Sequence, residues 1–307
     1  MKLKYWLAAA RLRTLPLSIS GIILGCSLAK FRKHQFGFIH AELESSYSIF
    51  ILAILTTIGF QVLSNFANDY GDGIKGTDNN RVGEQRLVAS GIISAKQMKR
   101  GMIVTAILTL IIAIALIYKA FGQDNFGYSL LFFVLGTACI AAAIKYTVGN
   151  NAYGYSGFGD VFVFLFFGWL SVIGSYFLYT KTIHWYLFLP ATTIGLLCIA
   201  VLNLNNMRDR IEDAKVNKNT LVVKMGSQKA KRYHYTLIIV ALICAIVYVQ
   251  LNYYAPKQYL FLIAFVPLFL NMVTVARNII HKELDSELKK VALSTFLFAI
   301  LFAIFSV

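Results

Sequence analysis

The chain has 307 residues, of which 58% are hydrophobic and 14% charged, and it carries a formal net charge of +15. A charged fraction well below the roughly 25% of ordinary soluble domains argues against a soluble globular protein. Together with a mean hydropathy of +0.66, it indicates an integral membrane protein.

Nine apolar runs are near the length of about 17–25 residues that a helix needs to cross a bilayer. None of them alternates as a β-strand would, and backbone amides must be satisfied within lipid, so we predict nine transmembrane helices. The sequence therefore predicts an all-α polytopic membrane bundle, with residues 1–307 as a single transmembrane domain. The runs cover residues 14–31, 48–67, 101–120, 128–147, 161–180, 185–207, 235–252, 259–276 and 291–307.

Lys and Arg are distributed unequally between the two sides of this bundle. The N-terminal tail, the even-numbered loops and their edges hold 23 of them, and the odd-numbered loops hold 6. Because positively charged loops stay in the cytoplasm, we predict a cytoplasmic N-terminus and an external C-terminus. Topology accounts for the positive charge, so we predict no nucleic-acid partner.

A polar stretch, NFANDYGDGIKGTD (residues 65–78), stands where the second apolar run ends. Asn65 and Asp69 are four residues apart and Asp72 follows three later, so a helix places all three on one face. Ionisable groups at a membrane edge cost about 2–3 kcal/mol each on insertion scales, which is tolerated where they face a cavity or share a cation. The stretch therefore predicts a functional site.

A second polar stretch, NLNNMRDRIEDAKVNKN, follows the sixth run. At an offset of 140 residues, Asn205 and Asp209 align with the first Asn and Asp of the earlier motif, and Asp213 repeats the step of four. This weak repeat predicts two equivalent four-helix halves and one added helix. The halves cover about residues 1–147 and 148–280, and the added helix covers 291–307.

Carboxylate and amide oxygens suit Mg²⁺, which proteins usually bind with one or two carboxylates together with substrate phosphates. Two oxygen-rich stripes facing each other would hold Mg²⁺ around a diphosphate, and nearby basic side chains would bind its oxygens. Asp78, Glu84 and Glu212 are equally compatible with solvated loop acids. The predicted metal ligands are Asn65, Asp69, Asp72, Asn205, Asp209 and Asp213. The predicted phosphate contacts are Lys75, Arg81, Arg86, Arg208, Lys215 and Lys218.

The two motifs, NDYGD and NNMRDRIED, resemble the paired Asp-rich signatures of the UbiA superfamily of intramembrane prenyltransferases. The resemblance covers essentially the whole chain. Asn68, Asp69 and Asp72 match the family pattern NDxxDxxxD, whereas Gly76 stands at the position of the third acid, with Asp78 two residues further on. The stretches AARLRTLPLSISGIILG and YTVGNNAYGYSGFGDVFVFLFFGWLSVIGSYF are similar to the branch that prenylates 1,4-dihydroxy-2-naphthoate in menaquinone biosynthesis.

This resemblance implies a Mg²⁺-dependent transferase in the bacterial cytoplasmic membrane, with its active site facing the cytoplasm. It implies transfer of a polyprenyl group from polyprenyl diphosphate to 1,4-dihydroxy-2-naphthoate, with loss of diphosphate and CO₂, giving demethylmenaquinol. Some relatives carry Tyr-x-x-x-Lys near the end of the fourth helix, where this chain has Ala141 and Lys145. The further residues implied are Lys145 and Tyr146 in catalysis and Arg13, Asn68, Tyr153 and Asp160 in substrate binding.

Other functions remain open at this point. A UbiA-type enzyme can act on a different aromatic acceptor, such as 4-hydroxybenzoate. A secondary transporter also has repeats and intramembrane acids, although its binding acids are expected near the middle of the membrane on broken helices. A CDP-alcohol phosphotransferase needs a DG-x-x-AR motif, and DGIKGTD lacks the AR.

Overall fold

The computed structural model describes residues 3–35, 42–76, 86–150 and 152–306, and within these ranges it is helical and contains no β-strand. The α-helices are α1 (Leu3–Ala10), α2 (Leu15–Gln35), α3 (Glu42–Lys75), α4 (Ala95–Phe121), α5 (Phe126–Lys145), α6 (Gly159–Val163), α7 (Ser171–Thr180), α8 (Phe188–Lys215), α9 (Leu221–Met225), α10 (Ser227–Leu251), α11 (Phe265–Arg277) and α12 (Asp285–Phe305). Short 3₁₀ segments cover Leu12–Thr14, Tyr153–Tyr155, Trp185–Leu187, Pro256–Ala264 and His281–Leu284, and Phe164–Leu170 is a π-helix.

Nine helical stretches in the described part of the chain are long and apolar enough to cross a membrane. This finding confirms the predicted number of helices and the all-α class. We number the stretches spans 1 to 9 in chain order. They are Leu3–Ala29, Tyr47–Lys75, Ala95–Phe121, Phe126–Lys145, Gly159–Thr180, Trp185–Lys215, Ser227–Leu251, Pro256–Arg277 and His281–Phe305.

Spans 2 and 6 are longer than the sequence predicted. They continue as regular helix to Lys75 and Lys215, whereas the predicted runs ended at residues 67 and 207. Hydropathy identifies only the apolar part of a helix. Polar turns that continue the same hydrogen-bonded helix have low hydropathy, so they are not included in a predicted span. Both Asp-rich motifs therefore lie on helices, which is the geometry that the four-residue spacing required.

Span 1 is interrupted between α1 and α2. Arg11 adopts a left-handed conformation, with φ 47°, and the 3₁₀ turn Leu12–Thr14 follows it. The amide of Asn65 in span 2 donates to the carbonyl oxygen of Ala10 at 2.8 Å and to Thr14 Oγ1 at 3.3 Å. Asn65 thus satisfies a carbonyl group at the C-terminal end of α1, one of those that a helix end leaves without an intrahelical partner.

Local signals at the starts of spans 3 and 7 fit the sequence. Ser94 and Gln97 form the capping box expected from their spacing, in which the backbone N–H of Gln97 donates to Ser94 Oγ at 3.3 Å. Gly91 before span 3 and Gly226 before span 7 both have positive φ, 72° and 76°, which favours glycine. The two glycines are aligned in the proposed repeat, which itself stays a prediction.

Spans 1 and 5 cross at close range. A Cβ atom placed on Gly21 would lie 1.9 Å from Ser171 Oγ, and one on Gly25 would lie 2.1 Å from Ser175 Oγ. The π-helical turns of span 5, Phe164–Leu170, immediately precede the first of these serines. Only glycine permits this approach, so the crossing fixes how span 5 faces the interior of the bundle.

Candidate active site

Spans 1 to 6 surround a cavity of about 330 Å³. Phenylalanines of spans 4 and 5 form much of its apolar wall, with Phe132, Phe162 and Phe166 among them. Span 2 contributes a polar side, with Gln61, Ser64 and Asn68 facing the cavity at helical spacing. An apolar cavity with a few polar groups on one side is typical of a small-molecule or lipid site.

Tyr155, in the loop between spans 4 and 5, joins residues from both Asp-rich motifs. Its hydroxyl donates to Asp72 Oδ1 at 2.7 Å. The ammonium groups of Lys75 and Lys218 lie 4.0 Å and 5.5 Å from the centre of its ring. An aromatic ring attracts cations through its negative face, so this tyrosine orients one carboxylate and two positive charges together.

Asp72 and Asp213, one from each motif, meet through Lys218. The Lys218 ammonium nitrogen is 3.9 Å from Asp72 Oδ2 and 3.6 Å from Asp213 Oδ1. Arg86 Nη2 is also 3.9 Å from Asp72 Oδ2, and both carboxylates are buried. We call these residues, together with Tyr155 and Lys75, the central cluster: Asp72, Lys75, Arg86, Tyr155, Asp213 and Lys218.

Asp69 is fully buried and holds the chain that returns after the first motif. Its carboxylate accepts the backbone N–H of Leu87 at 3.0 Å and that of Val88 at 3.1 Å, one on each oxygen. The two backbone N–H groups of this turn thereby find an acceptor, which donors away from water need. Asp69 therefore fixes the position of Arg86, which directly precedes Leu87.

Asp209 occupies the corresponding place in the second motif but has a different partner. Arg208 donates from Nε to Asp209 Oδ1 and from Nη2 to Asp209 Oδ2, both at 2.8 Å. Arg208 Nη2 also donates to Asn205 Oδ1 at 2.8 Å, and Nη1 forms a short ion pair with Asp285 at the start of α12. The predicted phosphate contact Arg208 is thus engaged with three acidic or amide side chains.

The loop that carries Tyr155 is attached to the loop that carries Lys218. The Asn219 backbone N–H donates to the Tyr155 carbonyl oxygen at 3.0 Å. The Lys224 ammonium donates to the Ser156 carbonyl oxygen at 2.8 Å. These two hydrogen bonds attach the Tyr155 loop to the Lys218 loop and to α9, which follows it.

Three aromatic side chains line the cavity beside the cluster. Tyr153 stacks on Phe162 with ring centres 3.9 Å apart, and Tyr146 meets the Tyr153 ring edge-on at 5.3 Å. Desolvation by burial raises the pKa of Tyr146 and of Tyr153 above the ordinary tyrosine range. Both phenols therefore stay neutral, and the Tyr153 hydroxyl donates to the Ala142 carbonyl oxygen at 2.9 Å.

Two other predicted residues make contacts near this wall. Asp160, buried at the start of span 5, accepts a hydrogen bond of 3.0 Å from the Tyr233 hydroxyl of span 7. Asn68 accepts a hydrogen bond of 3.3 Å from Thr147 Oγ1, and Lys75 Nζ donates to the Thr147 carbonyl oxygen at 2.9 Å. Thr147 thus links the polar end of span 2 to the loop after span 4.

The remaining predicted residues are exposed or lie outside the described ranges. Lys145 and Arg13 are exposed. Lys145 makes no hydrogen bond or ion pair with the residues that the structure describes, as expected of a lysine at the end of a membrane helix. Lys215 pairs with Glu212 at 2.9 Å on the exposed side of α8. Arg81, Asp78 and Glu84 lie outside the described residues.

The donor groups fit a hard divalent cation, although they do not form a complete site by themselves. Within the described ranges, no group of three or more His, Cys, Asp or Glu is arranged to hold a metal ion. Asp72 and Asp213 nevertheless lie on either side of one ammonium group. Two carboxylates around one positive charge supply the oxygen ligands that a hard divalent cation takes, and the basic side chains beside them suit the oxygens of a diphosphate.

Sequence reasoning missed two residues of this site, Tyr155 and Asp285. Tyr155 lies in a glycine-rich loop far from either motif, and no spacing rule connects it to Asp72. Asp285 begins the last helix and resembles an ordinary acid in a first helical turn. Only the packing of the helices brings these two side chains to the motifs.

Comparison with known proteins identifies the family. The model of the UbiA prenyltransferase family matches residues 36–304. The chain belongs to the UbiA prenyltransferase family. The predicted family is thereby confirmed, as is the prediction of a polytopic membrane enzyme that transfers prenyl groups.

Several UbiA relatives with assigned names are similar over most of their length. The 1,4-dihydroxy-2-naphthoate octaprenyltransferase of Escherichia coli (strain K12) is 42% identical over 84% of this chain and 80% of its own. The Haemophilus influenzae protein of the same name is 40% identical over 99% and 96%. A solved structure of a digeranylgeranylglyceryl phosphate synthase covers 99% of this chain and 98% of its own, with a TM-score of 0.57. At 15% identity, that likeness concerns the fold alone.

Proposed function

We propose that this chain transfers a polyprenyl group from polyprenyl diphosphate to 1,4-dihydroxy-2-naphthoate, giving demethylmenaquinol, diphosphate and CO₂. The C–O bond of the donor breaks, a C–C bond to the naphthoate ring forms, and the carboxylate leaves as CO₂. The observation that carries the proposal is the meeting of Asp72 and Asp213 beside an apolar cavity. The identity of 40–42% to two naphthoate octaprenyltransferases supports this acceptor over 4-hydroxybenzoate.

The central cluster is suited to hold the diphosphate of the donor. Arg86 and Lys218 supply positive charge from buried positions and Lys75 from an exposed one, and charge-assisted hydrogen bonds to phosphate oxygens are strong. The proposed Mg²⁺, when bound, would neutralise charge on the leaving diphosphate. Its proposed ligands are Asp72 and Asp213, with Asp69, Asp209, Asn65 and Asn205 as the further oxygens of the two motifs.

The cavity is suited to the prenyl chain and to the reacting carbon. Its apolar walls exclude water, which protects an allylic cation from hydrolysis. Tyr146, Tyr153 and Phe162 present aromatic rings beside the cluster, and such rings stabilise a nearby positive charge. We place the naphthoate against this aromatic wall, with Asn68, Asp160 and Arg13 as proposed polar contacts.

We further propose that the enzyme resides in the bacterial cytoplasmic membrane with its N-terminus and active site on the cytoplasmic side. The 23-to-6 bias of Lys and Arg supports this orientation. Both motifs and the linked loops lie at the end of spans 2 and 6 that this orientation places at the cytoplasm. Donor and acceptor would then reach the same membrane edge.

The experiment is a prenyl-transfer assay on the purified protein in detergent, with farnesyl diphosphate as donor. We expect product with 1,4-dihydroxy-2-naphthoate and Mg²⁺, at the mass of the acceptor with its carboxyl group replaced by the farnesyl group. We expect no product when EDTA replaces Mg²⁺. A product formed only with 4-hydroxybenzoate would overturn the acceptor assignment. Electrogenic uptake into proteoliposomes, with no diphosphate released, would overturn the enzyme and favour a transporter.

A further inference from the structure

Arg208 connects the second Asp-rich motif to the last helix of the bundle. Its guanidinium donates two hydrogen bonds of 2.8 Å to Asp209 and a third, also of 2.8 Å, to Asn205. Its remaining terminal nitrogen, Nη1, pairs with Asp285 Oδ1. Asp285 is the first residue of α12 and lies outside both motifs. One guanidinium is therefore shared between two carboxylates on different spans.

The two carboxylates differ in exposure. The Arg208 side chain is 2% exposed and that of Asp209 is 6% exposed, whereas that of Asp285 is 37% exposed. A charge as buried as that of Arg208 is costly to leave without a counter-charge. If Asp209 were the only counter-charge of Arg208, binding of Asp209 to another partner would leave the buried guanidinium without a negative charge beside it.

We propose that Asp285 is a positioning residue that acts as the second counter-ion of Arg208 and so allows Asp209 to exchange the guanidinium for a divalent cation. The inference rests on the proposed function, because it takes Asp209 as one of the carboxylates that receive the cation. Asp285 itself touches neither substrate nor cation. It neutralises the charge of Arg208 and holds the guanidinium in place while the Asp209 carboxylate binds the divalent cation.

Two electrostatic effects favour this exchange. With Asp285 present, the three charged groups carry a net negative charge, which attracts a cation. Without it, Arg208 and Asp209 form a neutral, bidentate pair that is harder to open. Removal of the Asp285 charge is therefore expected to weaken cation binding at the second motif, although Asp285 is not a ligand.

The test measures Mn²⁺ binding by electron paramagnetic resonance on the purified full chain in detergent, with inorganic pyrophosphate present. Asp285→Asn is expected to weaken Mn²⁺ binding about tenfold, within the range known for residues that orient metal ligands. Glu283→Gln is the matched control, since Glu283 is an exposed acid two residues before Asp285 and accepts a hydrogen bond from Asn278. The control is expected to bind Mn²⁺ within about twofold of the unaltered chain.

Two further variants separate positioning from a merely structural role. Asp285→Glu keeps the charge and is expected to restore Mn²⁺ binding to within about threefold. In an Arg208→Gln background, Asp285→Asn is expected to have no further effect beyond twofold, because its action runs through the guanidinium. A full tenfold effect in that background would overturn the inference, as would a loss in Asp285→Glu equal to that in Asp285→Asn.

The outcome also separates this inference from the proposed function. If the unaltered chain binds no Mn²⁺ and transfers no prenyl group, the proposed function fails and the inference fails with it. If the unaltered chain binds Mn²⁺ and Asp285→Asn binds it equally well, only the inference fails. Thermal unfolding midpoints of all variants show whether any loss comes from unfolding, and Asp285→Glu decides the matter if Asp285→Asn is unstable.

Discussion

The two Asp-rich motifs use their acids in the same order but with different partners. In each motif the first aspartate, Asp69 or Asp209, accepts hydrogen bonds from protein groups next to the central cluster. The later aspartate, Asp72 or Asp213, belongs to the central cluster itself. Asp69 is engaged by backbone amides, which cannot move without unfolding a turn. Asp209 is engaged by an arginine side chain, which has a second carboxylate available. The first motif is therefore built as a fixed support and the second as an exchangeable one.

The largest effect is expected at the two aspartates that meet through Lys218. Asp72→Asn and Asp213→Asn keep side-chain size and remove the charge, and each is expected to lower kcat by roughly a thousandfold, since buried charges near a reacting diphosphate are worth several kcal/mol. The measurement is the prenyl-transfer assay with 1,4-dihydroxy-2-naphthoate. Asp124→Asn, at an exposed acid between spans 3 and 4, is the matched control. Activity retained in either cluster variant would remove the central cluster from catalysis.

The fixed character of the first motif is tested at Asp69. Asp69→Asn leaves one of the two backbone amides, Leu87 or Val88, without its acceptor, at a cost of about 1–3 kcal/mol. Local hydrogen exchange in a peptide covering residues 86–93 is therefore expected to become roughly tenfold to a hundredfold faster. Mass spectrometry of exchanged peptides measures this. Asp124→Asn, at an exposed acid between spans 3 and 4, should leave exchange in that peptide unchanged, and an equal acceleration in both variants would contradict the assignment.

A smaller effect is expected at Tyr155, which joins the two motifs. Tyr155→Phe loses the hydrogen bond to Asp72 and keeps the ring under the two lysines, so kcat/KM for the donor should fall about tenfold. Tyr155→Leu loses the ring as well and should fall further. Tyr253→Phe, at an exposed tyrosine after span 7, is the control. If Tyr155→Phe matched the unaltered enzyme, the hydroxyl would have no part in orienting Asp72.

The smallest effect is expected at Lys145, which family resemblance assigned to catalysis. The side chain is exposed and makes no hydrogen bond or ion pair in the described structure. Lys145→Gln should therefore leave kcat and KM within about twofold of the unaltered enzyme, as for other solvated surface charges. Steady-state kinetics with both substrates checks this. A loss of a hundredfold would restore Lys145 to the catalytic residues and would place the lysine near the substrate during turnover.

The sequence was sufficient to predict the helical class and the number of membrane spans in the described part of the chain. The number of spans follows from hydropathy, because lipid leaves no alternative to helices of a given length. The spacing of Asn65, Asp69 and Asp72 correctly placed them on a helix, and Ser94 and Gln97 correctly marked a helix start. These features depend on local chemistry, which a single sequence contains in full.

The different roles of the aspartates within the site could not be predicted from the sequence. Asp69 and Asp72 are near neighbours on one helix, and spacing alone gives them the same role. Their difference arises from what packs beside them: the turn at Leu87 and Val88 in one case, and a loop from the other half of the chain in the other. Such contacts between distant segments are set by helix packing, so Tyr155 and Asp285 left no local signal.

The π-helical turns of span 5 have a consequence for comparing sequences within the family. The hydrogen bonds of a π-helix join residues i and i+5, one residue further apart than in an α-helix, so a π-helical turn accommodates one additional residue. Relatives that lack this feature would align with span 5 only through a one-residue gap between Phe164 and Leu170. An ungapped alignment would be shifted by one residue on one side of the gap, either toward Asp160 or toward Ser171, which contacts Gly21. A shift of one residue corresponds to a rotation of about 100° around the helix axis, so cavity residues would be assigned to the wrong helix face.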